Sequence, residues 1–171
     1  MKRIIIVRHS KSSWENLSID DYDRPLNDRG KKDAEWMSNV FRTKLPPIDH
    51  IISSGAKRAI ETVSLMLQNQ MNVFSFEIDD NLYIAEASAI ENVISGINNV
   101  HSTILICGHN PGLTEFINEK TMHTIDDIPT SCFVMIEIEM KDWTEIYHQK
   151  GTIKFYEYPK MLKDIKHNLY L

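Results

Sequence analysis

The run Ile4-Ile5-Ile6-Val7 is β-branched throughout and stops abruptly at Arg8 and His9. Four consecutive residues of this kind cannot alternate between core and solvent. They read as a strand buried on both faces, and a sheet buried on both faces carries helices on both, as in α/β proteins. Open α/β sheets bind ligands in the crevice beyond the carboxyl ends of their strands. Arg8 and His9 are delivered to that place, although a cation and a surface histidine that merely end a strand look the same in isolation. The rest of the chain separates the two readings.

The segment from Ser10 to Pro25 is polar and irregular, with Ser12, Ser13 and Trp14 followed by acids at Asp20, Asp21 and Asp23 and by Arg24-Pro25. A long loop at a strand's carboxyl end is a functional location. Asn27 is a good N-cap for a helix in which Ala34, Met37, Val40 and Phe41 recur at helical spacing and which Pro46-Pro47 ends. Residues 48–52 form a short second strand closed by Ser53-Ser54-Gly55. Either serine can cap a second helix that buries Ala59, Ile60, Val63, Met66 and Leu67 and carries Lys57 and Arg58 in its first turn. Cations are unfavourable at that positive end unless an anion offsets them. Lys57 reads as a solvated surface charge, and Arg58 as a hint of an anion site.

Residues 73–78 make a third strand, and Leu82-Tyr83-Ile84 leads through Glu86 into an amphipathic helix over 88–97. Residues 103–107 form a fourth strand, again apolar on both faces, that runs into Gly108-His109-Asn110-Pro111-Gly112. Asn110 reads as an N-cap with Pro111 at the first helical position, which sets His109 just before a helix N-terminus, a place suited to anions. Beyond residue 130 the pattern changes. Val134, Ile136, Ile138 and Met140 share one face while Glu137 and Glu139 lie on the other, and residues 152–158 alternate again, as an antiparallel pair added to the sheet edge would. The tail from Pro159 is basic (Lys160, Lys163, Lys166) and carries an aromatic at Tyr170, either helical or frayed.

The expected fold is α/β: a three-layer, mainly parallel sheet with helices on both faces and antiparallel edge strands from the C-terminal third. Residues 1–171 read as a single domain, since no linker, repeat or low-complexity tract interrupts them and a chain of this length at 42% hydrophobic supports one core. The apolar run after Met1-Lys2-Arg3 is too short for a secretory signal and no stretch is long enough to span a bilayer, which points to the cytoplasm. Cys107 and Cys132 lie in apolar runs and read as buried thiols.

A formal net charge of −5 repels nucleic acid and anionic membranes, so neither is an expected partner and any bound anion needs a local cluster of cations. Such a cluster is present. If the strands are parallel, the junctions Arg8-His9, Ser54-Gly55-Ala56-Lys57-Arg58 and Gly108-His109-Asn110 lie on one sheet edge. Two imidazoles and two guanidiniums then converge on a crevice suited to a phosphoryl group, with the guanidinium forks on its oxygens. On chemistry alone either imidazole could be nucleophile or donor. His50, His101, His123, His148 and His167 lie in loops or polar contexts and read as solvated.

Arg8-His9, Ser54-Gly55-x-x-Arg58-Ala59 with Thr62, and Gly108-His109 closely resemble the three signatures of the histidine phosphatase (phosphoglycerate mutase-like) superfamily. The segments Arg-His-Ser-Lys-Ser-Ser-Trp at 8–14, Arg-Pro-Leu-Asn-Asp-Arg-Gly at 24–30 and Gly-His-Asn-Pro-Gly-Leu at 108–113 look like its SixA-type phosphohistidine phosphatase branch. The resemblance implies that His9 is the nucleophile and becomes phosphorylated, that Arg8 and Arg58 bind the phosphoryl oxygens and that His109 stabilises transition-state charge. Donors aimed at those oxygens supply most of the catalysis in phosphoryl transfer. Ser10, standing where the wider superfamily usually has glycine, and Asn110 are further candidate substrate-binding residues. No metal or other cofactor is implied.

Glu86 lies in the right interval for a general acid, but its surroundings do not match the mutase pattern, and a helix N-cap or first-turn carboxylate is the competing reading. An imidazole leaving group, with an ordinary pKa of about 6.5, needs less acid assistance than an alkoxide. The 50 residues between Arg58 and His109 leave no room for a large lid. The expected function is hydrolysis of a phosphoryl group through a covalent phosphohistidine at His9, with phosphohistidine on a protein as the leading substrate. The alternatives are a phosphatase or mutase acting on a small phosphate ester, and a non-catalytic phospho-binding module.

Overall fold

A computed structural model describes residues 1–68 and 75–162. Six strands form one sheet: β1 (Lys2–Arg8), β2 (His50–Ser53), β3 (Phe76–Ile78), β4 (Thr103–Gly108), β5 (Phe133–Ile138) and β6 (Gly151–Glu157). Their spatial order is β3-β2-β4-β1-β5-β6. The first four are mutually parallel, whereas β5 runs antiparallel to β1 and β6 antiparallel to β5. The expected α/β architecture with an antiparallel C-terminal pair is what forms.

The β-branched run in β1 explains the layering. Ile4 and Ile6 point into one core, Ile5 and Val7 into another, and all four are fully buried. On the Ile5 face lie α1 (Asp28–Lys44) and α2 (Lys57–Leu67), which contribute Ala34, Met37, Phe41, Ala59, Val63 and Met66. On the Ile4 face lie α3 (Ala87–Ser95) and α4 (Gly112–Lys120), with Ile90, Ile94, Phe116 and Ile117. The strand β4 repeats the pattern, its Ile104 and Ile106 on one side and Leu105 and Cys107 on the other.

The helix N-termini divide into one predicted cap and two corrected ones. Asn27 caps α1 as expected, its side chain accepting from the Gly30 N–H at 2.8 Å. At α2 the cap is Ala56 rather than Ser53 or Ser54, because both serines are fully buried and otherwise engaged. At α4 the cap is Pro111, and Asn110 is turned away to bond another loop. The third strand is shorter than read, Phe76–Ile78 against 73–78, with residues 73 and 74 outside the described segments. The tail beyond residue 162 is likewise outside them, His167 included.

Register fixes the site. Arg8 pairs with Gly108, and Ser53 pairs with Cys107, so all three junctions open at the same height on the carboxyl edge. Gly112 keeps that edge compact: a Cβ there would stand 1.8 Å from the Ala85 carbonyl, so only glycine lets the start of α4 press against the approach to α3.

Candidate active site

His9 follows the last residue of β1, and its ring stands 5.0 Å from that of His109, which follows β4. Arg58, in the first turn of α2, reaches between them. Its Nε donates to His9 Nε2 at 3.3 Å, and its Nη2 lies 3.3 Å from His109 Nδ1. A guanidinium only donates, so both of those ring nitrogens are acceptors. The opposite nitrogens then carry the protons. His9 Nδ1–H donates to the Ser10 carbonyl at 2.7 Å, and His109 Nε2–H donates to Ser54 Oγ at 2.9 Å. His9 Nε2 thereby carries the ring's lone pair on the side of Arg58 and His109, with the ring fixed from behind at Nδ1.

Electrostatics keep both rings neutral. Burial, reinforced by the charges of Arg58 and Arg8, pulls the His9 pKa down to about 4. Burial also pulls His109 down to about 3, with His9 and Arg58 acting in the same direction. A phosphoryl anion between the rings would reverse that field and favour protonation.

Arg8 belongs to the same edge but is held from the other side. Its Nη1 donates to Asp127 at 2.8 Å and to the Ile128 carbonyl, while its buried Nε has no partner among the described residues. Asp127 also accepts from Asn110 Nδ2, which donates in addition to the Ile128 carbonyl at 3.2 Å. The Asn110 amide therefore ties two loops together and leaves only its buried, unpartnered Oδ1 uncommitted. Its role as a helix cap is corrected by this geometry.

Ser10 is likewise corrected. Its hydroxyl is fully buried and accepts from Ser131 at 2.7 Å, and its N–H donates to Thr62 Oγ1 at 2.8 Å, so the side chain faces the interior. It serves the site through the carbonyl that orients His9. Glu86 occupies the N-cap position of α3 without a side-chain capping bond, exposed on a groove of about 450 Å³ shared with Pro111, Glu115 and Glu119. Its carboxylate makes no hydrogen bond or ion pair with His9, Arg58 or His109 among the described residues. Lys57 is exposed, as expected. Cys107 is a buried strand residue whose thiol burial pushes up to about 12.

Three participants were not singled out in the sequence. Ser54 orients His109. Tyr83 places its ring edge-on to His109, with centroids 5.5 Å apart. Asp21 binds Arg58 Nη2 at 2.8 Å, Tyr83 Oη at 2.7 Å, and Arg24 Nη2 at 2.6 Å. Burial alone would raise the Asp21 pKa, but the hydrogen bonds from Tyr83 and Arg24 and the Arg58 charge hold it well below the usual carboxylate range. Asp21 was visible only as one of three loop acids, and loops carry no periodicity to reveal which acid turns inward.

Among the described residues no group of three or more His, Cys, Asp or Glu side chains is arranged to hold a metal, and no helix is long and apolar enough to cross a membrane.

The model of the histidine phosphatase superfamily (branch 1) matches residues 4–86. An uncharacterised chloroplastic protein of Arabidopsis thaliana is 35% identical over 162 residues, covering 88% of this chain and 72% of its own length. An uncharacterised protein of Mycobacterium tuberculosis is 30% identical over 105 residues, covering 61% and 63%. A solved structure of the protein histidine phosphatase SixA complexed with tungstate superposes with a TM-score of 0.80 at 19% identity, over 94% of this chain and 99% of that one. The chain belongs to the histidine phosphatase superfamily, and within it the fold matches SixA. Membership supports phosphatase activity.

Proposed function

We propose that the protein hydrolyses a phosphoryl group through a covalent phosphohistidine at His9, and that its substrate is phosphohistidine on a protein. The observation that carries this reading is the sorting of the His9 ring: Nε2 is the acceptor, on the side of Arg58 and His109, while Nδ1–H is committed to the Ser10 carbonyl.

In the first half-reaction His9 Nε2 forms a bond to phosphorus as the bond to the leaving group breaks. The leaving group departs with that electron pair and takes up a proton. Charge developing on the His9 imidazole is offset by the Ser10 carbonyl at Nδ1–H. Arg58 and Arg8 bind the phosphoryl oxygens, and His109 stabilises the charge that accumulates there. In the second half-reaction water attacks phosphorus, the P–N bond breaks, its electron pair returns to Nε2, and phosphate leaves. That the related SixA structure holds tungstate, a tetrahedral oxyanion, supports a phosphoryl site in this fold.

The placement of the nearby carboxylates supports this substrate class. Glu86 faces a neighbouring groove, and Asp21 is held ionised by three partners, so neither is set to hand a proton to an alkoxide. A departing imidazole is basic enough at neutral pH to take its proton from water. The acidic net charge fits a soluble protein partner rather than nucleic acid or an anionic membrane, and we assign the cytoplasm as the working compartment.

Rapid-quench mixing with a phosphohistidine protein, a phosphoserine peptide and an aryl phosphate, followed by intact-mass detection under alkaline conditions, tests the proposal. Acid-labile phosphate should appear on the wild type and not on His9→Ala, fastest from phosphohistidine. Equal labelling from all three would keep the nucleophile but point to a general or small-ester phosphatase. Turnover that survives in His9→Ala would overturn the mechanism, and neither label nor release would leave a phospho-binding module.

A further inference from the structure

Arg58 is a buried cation in the first turn of α2, where the helix dipole disfavours positive charge. The chain itself supplies the offsetting anion. Asp21 accepts from Arg58 Nη2 through Oδ2 at 2.8 Å, and the Asp21 carbonyl accepts from Arg58 Nη1. Both bonds grip the distal end of the guanidinium. Because the group is planar with a fixed fork of donors, holding that end also sets the direction of its side edge. The side edge, Nε and Nη2, faces His9 Nε2 and His109 Nδ1 at 3.3 Å each.

Asp21 is in turn fixed from two other directions. Tyr83 donates to Oδ2 at 2.7 Å, and Arg24 donates to Oδ1 through Nε and Nη2 at 3.0 and 2.6 Å. Arg24 is itself buried, donating to Ser12 Oγ at 2.6 Å and lying 3.6 Å over the Trp14 ring. A partly exposed ion pair contributes little by itself. Three side chains converging on one loop carboxylate make sense as a means of orienting what that carboxylate holds.

We propose that Asp21 is a positioning residue for the phosphoryl reaction: it clamps Arg58 by its far end so that the Nε–Nη2 edge is aimed at the gap between His9 and His109. This rests on the reading of that gap as the phosphoryl site. Asp21 makes no hydrogen bond with His9 or His109 among the described residues, so the larger part of its effect on turnover passes through Arg58.

A double-mutant cycle tests the claim. Wild type, Asp21→Ala, Arg58→Ala and the double variant are compared for kcat and KM on an aryl phosphate and for vanadate affinity by calorimetry, with thermal unfolding as a check on folding. Asp21→Ala should lower kcat/KM by about 10- to 100-fold, less than the roughly 10²- to 10³-fold lost when an aimed donor is removed outright, because Arg58 remains. In the Arg58→Ala background the same change should alter it by no more than about twofold. Asp21→Asn, whose amide oxygen can still accept from Nη2, should recover most of the loss, and Asp21→Leu, which removes both acceptors at similar volume, carries the cycle if the alanine variant does not fold. Losses that multiply independently, while wild type binds vanadate, would overturn the positioning role and leave the phosphoryl site standing. If wild type neither binds vanadate nor turns over, the phosphoryl reading fails and this inference fails with it.

Discussion

At the carboxyl edge of the sheet the rings of His9 and His109 stand 5.0 Å apart, tilted by 54°; at the opposite edge those of His50 and His101 stand 4.9 Å apart, stacked within 16°. Separation alone does not distinguish the pairs. Their surroundings do. The first pair shares a buried guanidinium, and its ring nitrogens are sorted into donors pointing backward and acceptors facing Arg58. The second pair meets anions and hydroxyls instead: His50 Nε2 lies 3.4 Å from Glu77, and His50 Nδ1 bonds Ser75 Oγ at 2.6 Å. His50 and His101 are also not the solvated side chains that their polar sequence context led us to expect; burial, then the neighbouring His101, lowers the His50 pKa. The first pair thus faces cations, as the proposed phosphoryl site requires, whereas the second faces the Glu77 carboxylate and the Ser75 hydroxyl.

Exchanging the properties of the two pairs would break this contrast. After the loss of turnover expected for His9→Ala, the largest effect should come from His109→Asn, which keeps a polar side chain but removes the ring proposed to stabilise charge: kcat should fall by roughly 10²- to 10³-fold on an aryl phosphate in steady-state assay. A second difference concerns pH. His9 and His109 have folded-state pKa values near 4 and 3, below the ordinary value near 6.5, so the unfolded chain binds protons first as pH falls. Their contribution to stability is complete above about pH 6.5 and declines progressively towards pH 3 to 4. The unfolding midpoint of wild type should therefore drop more steeply between pH 6.5 and 4 than that of a His9→Asn/His109→Asn variant. A parallel decline in both would sink the assignment. The smallest effect belongs to the other edge: His50→Ala or His101→Ala should leave kcat/KM unchanged and cost roughly 0.5–1.5 kcal/mol in urea unfolding, the worth of a ring pair.

The legibility of the chain followed the same division. Ile4 to Val7 announced β1 because a double-faced strand has no polar positions, and the junction residues His9, Arg58 and His109 stood out because each interrupts such a run or opens a helix. The structure brings these three together as expected. Caps were less secure. Ser54 and Asn110 are the residue types that favour helix N-termini, yet Ser54 is taken by His109 and Asn110 by Asp127, contacts made across 55 and 17 residues that no local pattern encodes. Asp21 was hidden for the same reason. Its partners Arg58 and Tyr83 lie 37 and 62 residues away, and only the loop's path around the sheet edge selects it over Asp20 and Asp23.

The position of β1 has a consequence for how the protein is made. Its hydrogen-bonding neighbours are β4 and β5, so β1 has no sheet partner until residues 103–108 have left the ribosome, and only one until residues 133–138 follow. Until β4 emerges the nascent chain carries the unbroken Ile4-Ile5-Ile6-Val7 segment with neither edge satisfied and neither face covered, a sticky stretch of the kind that chaperones bind. His9 cannot meet Arg58 and His109 before that strand is seated. Assembly of the candidate site and the covering of that segment therefore both wait on the same pairing of β1 with β4 at the middle of the sheet.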